Sequence, residues 1–181
     1  MQFYKVKVGD QFIGLNLWDT AGTEKFQSIT KMYYLKSYAA IVVFDVGCRE
    51  TFNSVLSWIS FYRQNKSNDL KEIIYLIGNK IDIEEERERE VKKEEAEEFA
   101  KINNLKYYEA SAKNGTNVDK IFYDLAYELA NTYKQGNIYA LNDNENSTKM
   151  LDINVHIKKE TCLDKLFNNI KAFKKKIIFW K

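Results

Sequence analysis

Hydrophobic and polar positions alternate in two runs near the start of the chain. Residues 3–8 and 12–18 place apolar side chains at every second position, and Gly9, Asp10 and Gln11 separate the two runs. A period of two is typical of half-buried strands, and a short connection containing glycine joins a hairpin. The pattern predicts an antiparallel β-hairpin.

Continuous apolar runs predict strands of a second kind. Residues 39–46 and 73–78 are apolar almost throughout. Such runs are typical of strands that are buried on both faces of a parallel sheet. A third, shorter run over 105–110 predicts the last strand of the domain.

Helical spacing separates these strands. Apolar side chains recur every three or four positions in 51–65, 91–102 and 117–133, and we expect residues 28–36 to be helical or irregular. Strands that alternate with helices predict an α/β domain with a mostly parallel sheet. From about residue 135 the chain turns polar and rich in asparagine, which predicts a domain over 1–134 followed by a variable tail over 135–181.

Composition narrows the function classes. The 181 residues carry 28 basic and 26 acidic side chains, a net charge of +2, which argues against a nucleic-acid partner. Cys48 and Cys162 are too few for a disulfide framework. The N-terminus shows no signal-peptide pattern, and no apolar stretch reaches the roughly 18 residues of a membrane span.

Three short motifs follow predicted strands. They are WDTAG at 18–22, NKID at 79–82 and EASAK at 109–113. In open α/β sheets, ligands bind outside the carboxyl ends of the strands. We therefore expect the three motifs to meet at one edge of the sheet.

Together the motifs resemble the second half of a Ras-type small GTPase, and the tryptophan before DTAG points to the Rab branch. The resemblance covers about residues 3–134 and implies the three-layer P-loop NTPase-type (Ras-like) fold. It also implies GTP and GDP binding, GTP hydrolysis and a switch function in vesicle traffic. The implied location is the cytosolic face of an endomembrane, with effectors, exchange factors and activating proteins as partners.

The resemblance implies a guanine site around Asp82. A carboxylate accepts two parallel hydrogen bonds from the N1–H and the exocyclic amine of guanine, whereas adenine offers no such pair of donors. The alternative is a surface loop, where Asn, Lys and Asp are common turn formers. The implied supporting roles are that Asn79 holds the loops together, Lys80 covers the base, Ser111 and Lys113 buttress Asp82 and close the other face, and the Ala112 N–H meets the guanine oxygen.

The first motif implies the magnesium and γ-phosphate contacts. Asp19 would face Mg²⁺ through a water, because Mg²⁺ prefers oxygen ligands and retains waters. The Gly22 N–H would contact the γ-phosphate and begin the second switch. The alternative for Asp19 and Thr20 is a helix N-cap. The family usually has Gln at position 23 to orient the attacking water, but this chain has Thr23, so the catalytic step is assigned to no residue.

The phosphate-binding half of the family pattern is missing. The chain contains no Gly-x-x-x-x-Gly-Lys-Ser/Thr, since its nearest imitation, Gly9 to Gly14, continues with Leu15 and Asn16. The first-switch threonine that ligates Mg²⁺ is also absent. We therefore expect an incomplete fold that lacks the central first strand, with two unpaired edges between the 12–18 and 39–46 runs. Such a domain is unstable unless something fills the gap. The alternative function is a nucleotide-free pseudo-GTPase that keeps the effector surface.

Three aromatic residues resemble the triad with which Rab proteins meet effectors. They are Phe3, Trp18 and Tyr33. The alternative is that they simply pack in the core.

The end of the tail predicts a basic amphipathic helix over about 161–180. Thr161 is a candidate N-cap, an apolar stripe runs from Leu163 to Ile177, and five lysines lie beside it. Such a helix can lie on an anionic membrane surface. Two other interpretations stay open: translated non-coding sequence, or a helix that covers the incomplete sheet.

Overall fold

The computed structural model describes residues 2–19, 34–35, 37–85, 88–133 and 150–159. Its six strands are β1 (Gln2–Val8), β2 (Gln11–Asp19), β3 (Ala39–Asp45), β4 (Ile74–Asn79), β5 (Lys106–Ala110) and β6 (Met150–Lys159). The α-helices are α1 (Arg49–Asn53), α2 (Val55–Asn65), α3 (Lys93–Ile102) and α4 (Val118–Tyr133), and a 3₁₀ helix spans Ile81–Glu85.

The strands form one sheet in the order β1-β2-β6-β3-β4-β5. β1 and β2 are antiparallel, with Val8 opposite Gln11, so the predicted hairpin is confirmed with a two-residue turn at Gly9 and Asp10. Gly9 has a φ of 61°, a conformation that glycine adopts without a steric cost. All other pairs in the sheet are parallel.

Two hydrophobic cores lie on opposite faces of the sheet. One core joins β1, β2 and alternate residues of β3 and β4 to α4, through residues such as Leu125 and Leu129. The other joins the remaining residues of β3 and β4 to the three earlier helices, through residues such as Ile59 and Ala96. The arrangement is helix, sheet, helix. The predicted three-layer α/β fold is confirmed, and β3 and β4 are buried along their whole length as expected.

The predicted helix over 51–65 is two helices. α1 ends at Asn53, and α2 begins at Val55. The Ser54 hydroxyl and the Ser54 N–H both donate to the Glu50 carbonyl, at 3.0 and 3.2 Å. A serine that bonds the carbonyl four residues earlier often bends a helix, which accounts for the interruption.

β6 is the main departure from the sequence-based expectations. It lies between β2 and β3 and is parallel to both, pairing residues 150–157 with β2 and 155–159 with β3. The expected gap in the sheet is therefore filled, and the expectation of two unpaired edges is wrong. The tail also contains a strand where a linker was predicted, since backbone pairing with both neighbours satisfies the N–H and C=O groups that would otherwise be buried without partners.

The chain topology positions the candidate site. Because β2, β6, β3, β4 and β5 run in the same direction, their carboxyl ends lie at one edge of the sheet. Of the stretch predicted as helical or irregular, Tyr34 and Leu35 are helical. The amphipathic helix predicted for the tail lies outside the described residues. Among the helices of the described part, none is long and apolar enough to cross a membrane.

Candidate functional site

Asn79 joins the two loops that carry the second and third motifs. It is the last residue of β4 and is buried. The Asn79 amide oxygen accepts a hydrogen bond from the Ala112 N–H at 3.1 Å, and the Asn79 carbonyl accepts one from the Val46 N–H at 3.0 Å. These bonds link the end of β4 to the loop after β5 and to the end of β3.

Asp82 and Ser111 form a direct contact between the same two loops. Asp82 lies in the 3₁₀ helix after β4, and its side chain is 14% exposed. The buried Ser111 hydroxyl donates to Asp82 Oδ1 at 2.5 Å, and Lys113 Nζ lies 3.7 Å from Oδ2. Ser111 Oγ also accepts the Asn114 N–H at 3.2 Å. The carboxylate is thus held in one orientation at the rim of the site.

Lys80 is held from the other side. Its backbone has a φ of 69°, in the left-handed region, which is unfavourable for a residue with a side chain. Its ammonium group donates to Asp45 Oδ2 at 2.5 Å. Asp45, the last residue of β3, is 0% exposed and also accepts the Gly47 N–H at 2.9 Å.

A polar cluster supports the loop after β5 from behind. Glu109 accepts hydrogen bonds from the Tyr107 hydroxyl at 2.8 Å and from the Arg89 guanidinium. Burial, and then the bond to Glu109, raise the pKa of Tyr107 well above its ordinary value, so the phenol stays a donor. The Asn117 amide donates to the Glu109 carbonyl at 2.8 Å, which fixes the backbone just before Ala110 and Ser111.

The arrangement can recognise a planar ligand that offers paired donors. Asp82 presents a carboxylate whose oxygens accept up to about four hydrogen bonds in total, of which Ser111 supplies one at Oδ1. In the present geometry the Ala112 N–H, the implied donor to guanine oxygen, donates to Asn79.

The structure brings together only part of the predicted site. Six predicted residues lie within the described part and meet at the β4 and β5 ends: Asn79, Lys80, Asp82, Ser111, Ala112 and Lys113. Asp19 is the last residue of β2 and lies at the same edge of the sheet, and only its backbone is described. Gly22 and Thr23 lie outside the described residues. Among those that are described, no group of three or more His, Cys, Asp and Glu residues could hold a metal ion.

Asp45 is the site residue that sequence reasoning missed. The signal was present, because Asp45 interrupts the continuous apolar run of β3 at its carboxyl end. Its contact with Lys80 joins positions 35 residues apart in the chain, and no local spacing indicates that pair.

Two of the three candidate effector aromatics lie outside the cores. Phe3 pairs with Asn16 across the hairpin, so Phe3 and Trp18 project from the same face of β1 and β2. Val6, Ile13 and Leu17 project from the opposite face, into the core against α4. Phe3 is 38% exposed and Trp18 is half-buried. Tyr33 lies outside the described residues.

Comparison with known proteins gives the class of the chain. The family model described as "Ras family" matches residues 1–131. The chain belongs to the Ras family. Among curated proteins, it is similar to "Ras-related protein Rab-30" of Homo sapiens and of Bos taurus, with 41% identity over 133 residues in each case.

These alignments cover 74% of this chain and 64% of each relative. The chain therefore spans less than two thirds of the length of the relatives that it matches. The Rab-like resemblance seen in the three motifs is confirmed by a family match over residues 1–131 and by the similarity to the Rab relatives.

Proposed function

We propose that this chain is a Rab-type switch protein of vesicle traffic that binds guanine nucleotides at the carboxyl edge of its sheet. The observation that carries the proposal is the Asp82 carboxylate, which Ser111 holds in place at the ends of β4 and β5. A carboxylate can accept parallel hydrogen bonds from the N1–H and the amine of guanine. Asn79 and Ala112 fix the spacing of the two loops around it.

The proposed nucleotide contacts divide between base and phosphate. On the base side, Asp82 is the proposed contact with the paired donors of guanine and Lys80 the proposed cover of the base. The residues that position or enclose this contact are Asn79, Ser111, Ala112 and Lys113. Asp19 is the proposed Mg²⁺ contact, through water, and Gly22 the proposed contact with the γ-phosphate of GTP. When bound, Mg²⁺ neutralises charge on the phosphate oxygens. Because Thr23 stands where the family usually has Gln, an activating protein supplies the group that positions the attacking water.

The proposed partners follow from the same family membership. Effectors meet the face of β1 and β2 that carries Phe3 and Trp18, which lies away from the core. Exchange factors and activating proteins act on the nucleotide state, and the chain acts at the cytosolic face of an endomembrane. Residues 161–181 are the proposed contact with an anionic membrane surface.

A second candidate is a binding module that works without nucleotide. One observation favours it. β6 occupies the centre of the sheet, and the residues that follow it in the sequence, ETCLDKLF at 160–167, contain no glycine that would let the backbone come close to a phosphate. In this case the effector surface remains while the phosphate contacts are absent.

Titration with fluorescent GDP tests the proposal. The base contacts without a phosphate loop predict a dissociation constant in the micromolar range or weaker, about −8 kcal/mol or less favourable. GDP should compete and ADP should not, because ADP lacks the paired donors that Asp82 accepts. Asp69→Asn, on the loop before β4, is the matched control and should bind as the unmodified chain does.

Absence of saturable binding at millimolar GDP would favour the nucleotide-free module. Equal competition by ADP would contradict the role of Asp82. A nanomolar dissociation constant would mean that contacts beyond the base side also bind the phosphates tightly.

A further inference from the structure

We propose that Asp45 is a positioning residue of the guanine-binding site. It fixes the ammonium group of Lys80, and through it the alkyl stem of Lys80, at the carboxyl edge of the sheet. The inference rests on the proposed binding of guanine nucleotide. Asp45 itself contacts no ligand in this account and acts only through Lys80.

Asp45 is buried and therefore depends on fixed polar partners. Its side chain is 0% exposed, and a carboxylate removed from water needs compensating partners. Two of its partners are the Gly47 N–H at 2.9 Å and the Lys80 ammonium group at 2.5 Å. A buried ion pair is a weak source of stability, because well-packed apolar side chains of similar volume often serve as well. A geometric role therefore accounts better for this pair.

The backbone of Lys80 has an unfavourable conformation. Lys80 keeps a left-handed φ of 69° although it carries a side chain. Strained residues of this kind persist where surrounding contacts over-determine them, and they cluster at ligand sites. The Lys80 carbonyl accepts the Ile83 N–H at 3.1 Å, and the preceding carbonyl of Asn79 accepts the Val46 N–H at 3.0 Å. Backbone and ammonium are thus both held, which restricts the conformations of the alkyl stem between them.

The course of the stem makes the pair relevant to ligand binding. Lys80 lies between Asn79 and the 3₁₀ helix that carries Asp82, and its side chain is 26% exposed. A free lysine stem loses rotamer freedom when a ligand packs on it. Anchoring the ammonium to Asp45 removes that loss in advance, so the pair strengthens binding by preorganisation.

A double-mutant cycle tests the pair. Dissociation constants for GDP are measured for the unmodified chain, Asp45→Asn, Lys80→Met and the double variant. Each single change should weaken binding about tenfold, and the double variant should be no weaker than Lys80→Met alone, because Asp45 acts through Lys80. Preference for GDP over XDP should not change, since Asp82 is intact. Additive losses would overturn the proposal.

Two further variants separate positioning from general damage. Glu72→Gln removes a carboxylate from the Arg63–Glu72 ion pair before β4, away from the site, and should leave the dissociation constant unchanged. Lys80→Arg keeps a cation that can reach Asp45 and should restore most of the affinity lost in Lys80→Met. If Asp45→Asn does not fold, a Lys80→Met chain that binds GDP as tightly as the unmodified one overturns the proposal.

A readout without nucleotide completes the test. The rate at which an amine-reactive ester acylates Lys80 is measured by mass spectrometry, with Lys93 on α3 as the internal reference. Asp45→Asn should raise the Lys80 rate several-fold, and an unchanged rate would overturn the proposal. Failure of the unmodified chain to bind GDP would refute the proposed function, whereas binding that Asp45→Asn leaves unchanged refutes the positioning role alone.

Discussion

At the residue scale, Asp82 is the position at which we expect a single atom to decide which base the proposed site prefers. Its carboxylate is an acceptor at both oxygens, and the Ser111 hydroxyl holds Oδ1 at 2.5 Å. Asn at this position would replace one acceptor by an N–H donor without a change of shape. The Ser111 contact would keep the side chain in place.

Asp82→Asn should therefore shift base preference from guanine towards xanthine, which carries a carbonyl where guanine has its amine. The ratio of XDP to GDP affinity should rise by about tenfold or more, since a site built around paired hydrogen bonds rejects an unmatched partner strongly. Competition against fluorescent GDP measures the ratio, with Asp69→Asn as control. If the substitution changes neither the GDP affinity nor the XDP affinity, Asp82 does not contact the base.

Tyr4 gives a second prediction at this scale, through the pH dependence of stability. Burial, with the nearby Asp119 carboxylate, raises the pKa of Tyr4 to about 12 from an ordinary value of 10.0. Its hydroxyl donates to Asp119 Oδ1 at 3.3 Å. A raised pKa means that the folded state favours the protonated phenol. The stabilisation is complete below pH 10.0 and is lost as the pH rises through about 12.

Urea unfolding of the unmodified chain and of Tyr4→Phe, measured from neutral to alkaline pH, checks this sign. The unmodified chain should lose its advantage over Tyr4→Phe between pH 10.0 and about 12. Tyr123→Phe, which removes an exposed tyrosine hydroxyl from α4, is the control for the loss of a hydroxyl at neutral pH. A constant difference between the unmodified chain and Tyr4→Phe at all pH values would contradict the prediction.

At the element scale, the absence of a side chain at Gly78 lets side chains of the neighbouring strands pack directly against the backbone of β4. A Cβ added at Gly78 would lie 2.7 Å from the Tyr107 hydroxyl, 3.1 Å from Val46 Cγ1 and 3.2 Å from Phe44 Cζ. Tyr107 belongs to β5, Phe44 to β3, and Val46 to the turn after β3. Gly78 directly precedes Asn79, so a shift at this point moves the end of β4 and the loop that carries Asp82.

Gly78→Ala should therefore destabilise the domain by about 1–3 kcal/mol, the usual cost of an overpacked core. Urea unfolding measures it. Tyr107→Phe removes the nearest atom, so the double variant Gly78→Ala, Tyr107→Phe should lose less than the two single losses combined. The relief should be partial, because Val46 and Phe44 remain close. Strict additivity would mean that the Tyr107 hydroxyl is not what the added methyl group meets.

At the scale of the whole molecule, β6 closes the sheet. It pairs eight residues with β2 and five with β3, and residues 155–157 are paired on both sides. Without β6, the strands on either side of it, β2 and β3, lose their hydrogen-bond partners in the middle of the sheet. Each buried group left unpaired costs about 1–3 kcal/mol, against a typical domain stability of 5–15 kcal/mol or so.

Two truncations test this account. A chain of residues 1–159 keeps β6 and should unfold cooperatively in urea. A chain of residues 1–149 lacks β6 and should show no cooperative transition and should aggregate. Equal stability of the two chains would mean that β6 contributes nothing to the fold.

A point substitution in the full chain separates backbone pairing from side-chain effects. Val155→Pro removes an N–H from the part of β6 that is paired on both sides, and should cost several kcal/mol. Val155→Thr keeps the N–H and the β-branched shape and should cost much less. Similar losses in both would show that the backbone pairing of residue 155 is not what holds β6.

The sequence by itself determined the layers of the domain and the edge of the sheet at which the candidate site lies. Continuous apolar runs identified β3 and β4, because strands buried on both faces need apolar residues at every position. Helical spacing identified α4. The strand ends, and the motifs that follow them, could be placed because helix and strand patterns depend on residues close together in the sequence. The resemblance of these motifs to a small GTPase then predicted Asn79, Asp82 and Ser111 as site residues before any contact between them was known.

Only the tertiary structure decided what fills the centre of the sheet and what holds Lys80. Residues 151–157 do alternate apolar and polar, a pattern that indicates a strand, but the surrounding asparagine-rich composition favoured a linker. No pattern could give its partners, because strand pairing is made by backbone groups that every residue carries. The Asp45–Lys80 ion pair likewise depends on the ends of two strands that come together only when the sheet assembles. The sequence therefore shows both residues but does not indicate that they are in contact.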